Sequence, residues 1–180
     1  MPRIPVHSVD SAPEASRDIL KALEARVGKV LNIHGAMAHS PAVLNAYAAL
    51  NQAVDDHSSL DSATREAIAL AVGAVNACDY CQAAHTGLGR AAGLDAAQMI
   101  EIRRGAVSDP RLAALITLVR EATEQVGHVS DETWQAALDA GWTARQLADA
   151  FTSVAANLFT NFFNHYVRTE LDLPAAPALS

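Results

Sequence analysis

Residues 65–85 read REAIALAVGAVNACDYCQAAH, and two helices account for them better than any strand. Alanine recurs, the β-branched residues come singly, and apolar and polar positions do not alternate, so helix propensity prevails over strand propensity. Asp61 before Ser62-Ala63-Thr64 supplies an N-cap, which predicts one helix over 61–77; a second is predicted over 79–92, closed by Gly93. The same punctuation extends outward. Ser11 precedes Pro13 and Glu14, Ser40 stands before Pro41, and Asp95, Ser130 and Thr143 open later segments. Gly28, Gly105, Gly127 and Gly141 each follow a periodic stretch, as helix-terminating glycines do. Asp95 to Gln98 and Thr143 to Gln146 have the spacing of capping boxes.

Helices are therefore expected near 12–27, 41–56, 61–77, 79–92, 95–104, 110–126, 130–140 and 143–170. This predicts an all-α bundle of about eight helices in a single domain over 1–180, with flexible ends at 1–10 and 174–180. In the last helix Leu147, Phe151, Val154, Leu158, Phe162 and His165 step by three or four, which predicts one buried stripe. An offset of 80 residues superposes 61–85 on 141–165 and matches Arg65 with Arg145, Glu66 with Gln146 and His85 with His165. A duplicated hairpin would explain this; coincidence between Ala-rich helices explains it as well and is favoured.

Composition narrows the function. Hydrophobic residues make up 51% and charged ones 18% of the 180, too apolar a balance for disorder and enough for one packed core. With 13 Lys and Arg against 20 Asp and Glu, the net charge of -7 offers no footprint for nucleic acid or an anionic membrane surface. Polar residues interrupt every apolar run and Met1–His7 lacks a secretory core, so a soluble, cytoplasmic protein is expected. Two cysteines three positions apart cannot staple a distant loop, which leaves a local redox or metal motif.

If the second helix begins near Cys78, then Cys78, Cys81 and His85 share one face, and two thiols at i and i+3 are within reach of a disulfide. The positive end of a helix favours a thiolate. His85, one turn beyond Cys81, can take its proton. Glu66 is the one carboxylate in an otherwise apolar helix and needs a partner, which a helical hairpin can supply in His85. A buried pair of small hydrophobes, a structural disulfide, or a zinc set of Cys78, Cys81, His85 and Glu66 are the competing readings. A single CxxC without a second ligand pair is weak for a structural metal, so redox chemistry with no metal is preferred. Tyr80 either donates a hydrogen bond to a reacting oxygen or covers the thiols. His165 either lines the same pocket or caps a helix C-terminus, the second being favoured. His7, His34, His39 and His57 read as solvated polar residues, and Trp134 and Trp142 as core or interface anchors.

The pattern Glu66, eleven residues, Cys78-x-x-Cys81, three residues, His85 resembles the carboxymuconolactone decarboxylase superfamily, and within it the alkyl hydroperoxidase D (AhpD-like) group. Ser40–Leu44 and Leu60-Asp61 resemble the family's lead-in, and Asn157–His165 the closing helix of its peroxidase-related branch, so the resemblance spans roughly 30–173. It implies an all-helical subunit in homo-oligomers, trimers or hexamers, with the CxxC at a pocket near a subunit interface. It implies that Cys81 attacks a small hydroperoxide, that Cys78 resolves the sulfenic acid to a disulfide, and that His85 and Glu66 relay protons. No metal, haem or flavin is implied, and the reductant would be a dithiol or a protein thiol. Tyr80 stands where the best-studied pattern has an additional histidine. The expected function is a thiol-dependent hydroperoxide reductase. The alternatives are a redox sensor or disulfide-exchange module, and a decarboxylase-like lyase, whose branch typically lacks the CxxC.

Overall fold

The structure, a computed structural model, describes residues 1–179. Nine helices form among them: α1 Glu14–Val27, α2 Asn32–Met37, α3 Pro41–His57, α4 Ser62–Val75, α5 Asp79–Ala91, α6 Ala96–Arg104, α7 Pro110–Glu124, α8 Asp131–Asp139 and α9 Ala144–Val167. No strand forms among these residues, so the all-α expectation holds. None of these helices is long and apolar enough to cross a membrane.

Most of the predicted start signals act as caps; Ser11 does not, since α1 follows Pro13 with no side-chain cap, and Asp109, which caps α7, was not among them. Ser40, Asp61, Asp109, Ser130 and Thr143 each accept a backbone N–H of the first turn, and Asp95 and Thr143 close reciprocal capping boxes with Gln98 and Gln146. Gly28 and Gly105 end α1 and α6 in the left-handed conformation that glycine adopts without strain.

Helix α4 is the hub. Its run Ala67–Gly73 is wholly buried, because α5, α6, α7 and α9 all pack against it. Ile68, Leu70 and Val72 join Ile102, Leu115, Ile116, Val119 and Leu147 in the main core. A second, smaller core gathers Leu20, Met37 and Leu44 around Cys78, Tyr80 and Cys81. Both thiols therefore sit in the seam between the N-terminal helices and α5.

Two further expectations are corrected, and the favoured reading of the 80-residue offset as coincidence stands. The short α2 was read as part of a loop; it has no side-chain cap and holds its shape by burial of nearly every residue. The N-terminal segment lies so close to it that a Cβ on Gly35 would stand 2.5 Å from the His7 carbonyl oxygen. The buried stripe of α9 matches the predicted one at Leu147 and Val154 but not at its aromatic positions. Phe151 and Phe162 are 66% and 59% exposed, and the inward line is Leu147, Ala150, Val154, Asn157, Asn161 and Asn164. Each asparagine there has one partnered atom, Asn161 Oδ1 accepting from Asn76 Nδ2 at 3.1 Å for one, while Asn161 Nδ2 and Asn164 Oδ1 are buried without a partner. Residues 61–85 contain a helix–turn–helix while 144–167 is one unbroken helix, so the 80-residue offset reflects no duplicated hairpin.

Candidate active site

The turn between α4 and α5 sets the position of both sulfurs. Cys78 N–H reaches back to the Gly73 carbonyl at 2.9 Å and Ala77 N–H to that of Ala74 at 3.1 Å, the paired bonds of a Schellman ending. Ala77 occupies the left-handed position, φ 50°, where glycine is usual. Chain direction reverses there, and Cys78 becomes the N-cap of α5, its sulfur accepting from Cys81 N–H at 3.4 Å.

The two thiols are unbridged and buried, with Sγ atoms 2.8 Å apart. Asn164 Nδ2 lies 3.3 Å from Cys81 Sγ and 3.9 Å from Cys78 Sγ. Hydrogen bonding from the Cys81 thiol brings the pKa of Cys78 down to about 7; burial opposes this, while the helix-end N–H, the positive charge of His165 and Asn164 reinforce it. Cys81 is pushed up by that same bond, by burial and by the negative charge on Cys78. One proton is thus shared between the sulfurs and rests on Cys81.

His85 Nδ1 and Glu66 Oε2 are 2.7 Å apart across the α4–α5 hairpin, the partnership anticipated from the lone carboxylate of α4. Cys81 and His85, one turn apart, line a single cavity of about 420 Å³. Its walls are mostly apolar, with Val27, Leu31, Ile33, Leu88 and Leu173 among the lining residues. Cys78 is not among the lining residues, so the sulfur that ionises more readily is hidden and the protonated one faces the space. No group of three or more His, Cys, Asp or Glu among the described residues is arranged to hold a metal ion.

The C-terminal segment builds one side of this cavity through Leu173, Pro174, Ala175 and Pro177. Asp172 anchors it, accepting from Tyr80 Oη at 2.7 Å, Lys29 Nζ at 3.1 Å and Asn32 N–H at 3.3 Å. Arg103 bridges Gln82 Oε1 at 2.9 Å to the Pro177 carbonyl at 2.6 Å. The Tyr80 ring lines the cavity, but its phenol is committed to Asp172, which together with burial holds it protonated. Tyr80 therefore fastens the tail beside Cys81. His165 lies outside the cavity lining; its Nε2 is 3.0 Å from the carbonyl of Asn76, the C-cap of α4. It does meet a helix C-terminus, though not its own.

Two lining residues escaped sequence reasoning: Tyr47, and His34, expected to be solvated. His34 of α2 is buried, its Nε2 lies 3.1 Å from Tyr47 Oη, and both side chains line the cavity. Burial lowers its pKa to about 4. No local signal marks it, because the short uncapped helix that carries it is itself illegible. Trp142 is buried under the Arg111 guanidinium, 4.0 Å from its ring centroid, while Trp134 is 40% exposed.

Residues 41–124 match the model of the carboxymuconolactone decarboxylase family. No curated protein matches the chain. Among solved structures, the AhpD-core, uncharacterised peroxidase-related protein from Ralstonia eutropha JMP134 superposes with a TM-score of 0.82 at 22% identity, over 95% of this chain and 92% of that one. A peroxidase-related protein from Silicibacter sp. TM1040 superposes at 0.80 with 21% identity, over 94% and 91%. The debrominase Bmp8 superposes at 0.77 with 15% identity, over 93% and 90%, and a cysteine-to-alanine variant of it has been solved with 2,3,4-tribromopyrrole. These likenesses concern the fold. The segment that carries Glu66, Cys78, Cys81 and His85 matches the carboxymuconolactone decarboxylase family model, and the chain has the fold of AhpD-like, peroxidase-related structures.

Proposed function

We propose that this chain is a thiol-dependent reductase of small, largely apolar hydroperoxides. The observation that carries the reading is that Cys81, one of a close thiol pair, and the Glu66-bonded His85 line one apolar cavity. Cys81 is the attacking group because it faces the cavity. Its proton passes to Cys78, and the Cys81 thiolate attacks the distal peroxide oxygen. The O–O bond breaks and the alkoxide takes a proton from His85, leaving the Cys81 sulfenic acid and an alcohol. Cys78 then attacks that sulfur, its proton leaving with the hydroxide as water, and a Cys78–Cys81 disulfide results. A dithiol or protein thiol returns the pair to the reduced state, which suits a cytoplasmic setting.

Stopped-flow single turnovers with cumene hydroperoxide test the assignment. Cys81→Ser is expected to abolish reduction, and Cys78→Ser to give one equivalent and stall. His85→Ala and Glu66→Gln should slow the reaction by roughly 10²–10⁴-fold, the usual range for lost acid–base assistance. Equal rates for all variants would sink the proposal, and unchanged peroxide with reversible disulfide formation would leave a redox sensor or disulfide-exchange module. A lyase of the decarboxylase type would survive loss of both cysteines.

A second reading draws on the likeness to the debrominase. The same dithiol and apolar cavity suit reductive removal of bromide from a small aromatic ring, with C–Br replaced by C–H and the disulfide formed. Bromide release from a bromopyrrole, with no hydroperoxide turnover, would favour it.

A homo-oligomer, trimer or hexamer, forms part of the proposal. Phe151, Phe162 and Tyr166 of α9 leave an apolar face that a second copy can cover. Light scattering from a monomer at micromolar concentration would remove this part.

A further inference from the structure

Besides Cys81 and His85, the cavity wall carries a polar pair, the buried His34 and the half-buried Tyr47. The rings stand 5.3 Å apart, joined by the 3.1 Å contact between His34 Nε2 and Tyr47 Oη. His34 Nδ1 is buried with no hydrogen-bond partner. Burial lowers the pKa of His34 and raises that of Tyr47, so both groups are neutral near pH 7.

A neutral imidazole has one donor and one acceptor nitrogen, and a phenol both donates and accepts. Whichever way the proton between them points, the pair retains unused hydrogen-bonding capacity. Leaving such capacity unmet inside an apolar site is costly unless a ligand meets it. Because the pair carries no charge, the matching group is an uncharged oxygen rather than a carboxylate.

We propose that His34 and Tyr47 form the polar anchor of the cavity, hydrogen-bonding the hydroxyl or peroxyl oxygen of an uncharged, mostly apolar ligand and orienting it toward Cys81. They are positioning residues. The proposal deepens the hydroperoxide reading, and its test is chosen so that the two can fail separately.

The first measurement is binding to the reduced protein, by ligand-observed NMR titration, of 2-phenylpropan-2-ol and of cumene, which has the same ring without the hydroxyl. The preference for the alcohol is expected to fall about 3–10-fold in Tyr47→Phe, the worth of one hydrogen bond. His34→Leu, with circular dichroism as folding control, should give a similar fall. The second measurement is turnover of cumene hydroperoxide. Tyr47→Phe should lower kcat/KM by at least the same factor, with kcat falling as the bound peroxide loses its orientation, while the rate of thiol alkylation by iodoacetamide stays at the wild-type value. An unaltered alcohol preference in both variants overturns the anchor whether or not peroxide is consumed. A wild-type protein that prefers the alcohol through these residues yet reduces no hydroperoxide supports the anchor and refutes the reductase reading.

Discussion

Cys78 and Cys81 are buried alike, yet their surroundings treat the proton oppositely. The sulfur at the helix end accepts the Cys81 N–H, and the two sulfurs, 2.8 Å apart, are shifted in opposite directions, Cys78 down and Cys81 up. Position in the CxxC was legible from sequence, as was the Glu66–His85 partnership, because spacing on a helix fixes which side chains meet. The direction of proton sharing was not, since it turns on the bond between the sulfurs and on His165 arriving from α9, more than eighty residues away. The leading cause of the lowered Cys78 pKa is the thiol of Cys81. Cys81→Ala should therefore move the thiolate absorbance midpoint up from about 7 by roughly 1–2 pH units, the worth of a hydrogen bond to a charged acceptor. Cys81→Ser, which keeps a donor, should retain most of the lowering. Equal midpoints in wild type and Cys81→Ala would assign the effect to the helix end alone.

At the scale of elements, helices announced by a capping side chain were readable and the one held by burial was not. Ser40, Asp61, Asp95, Ser130 and Thr143 each do locally what their residue type does best, so sequence and structure agree. Helix α2 has no such cap. In α9 two lines of side chains step by three or four, and the aromatic line was chosen although the asparagine line packs inward; partners on α4 and α5 decide between them. The α4–α5 turn carries no glycine signal, yet Ala77 adopts φ 50°. A β-branched residue resists that conformation far more than alanine does. Ala77→Val should cost about 2 kcal/mol in urea unfolding and raise the thiolate midpoint by displacing Cys78 from the helix end. Ala77→Gly should be near neutral, glycine's lost strain offsetting its greater unfolded-state entropy. Equal stability of the valine variant would show that the turn relaxes without loss.

For the whole molecule, the cavity that makes chemistry accessible also ties stability to pH. Helices α2 and α3 and the C-terminal segment enclose His34, which can be neutral in the fold but not charged. Burial lowers its pKa from 6.5 to about 4, the negative charge of Asp172 opposing this only in part. In the unfolded chain the imidazole takes a proton near pH 6.5, whereas the folded protein refuses it until about pH 4. Between those values the unfolded state binds more protons, so stability falls as the solution is acidified. The contribution of His34 is complete above pH 6.5, declines through the window and is gone near pH 4. A shift of this size corresponds to roughly 3 kcal/mol. Carboxylates titrate in the same range, so the informative quantity is a difference between proteins. Urea unfolding free energies of wild type and His34→Gln, measured from pH 7 to pH 4, should converge on acidification, because the variant lacks the group that must be kept uncharged. Parallel curves would mean that His34 accepts its proton inside the fold, and that the cavity admits enough water or movement to solvate it.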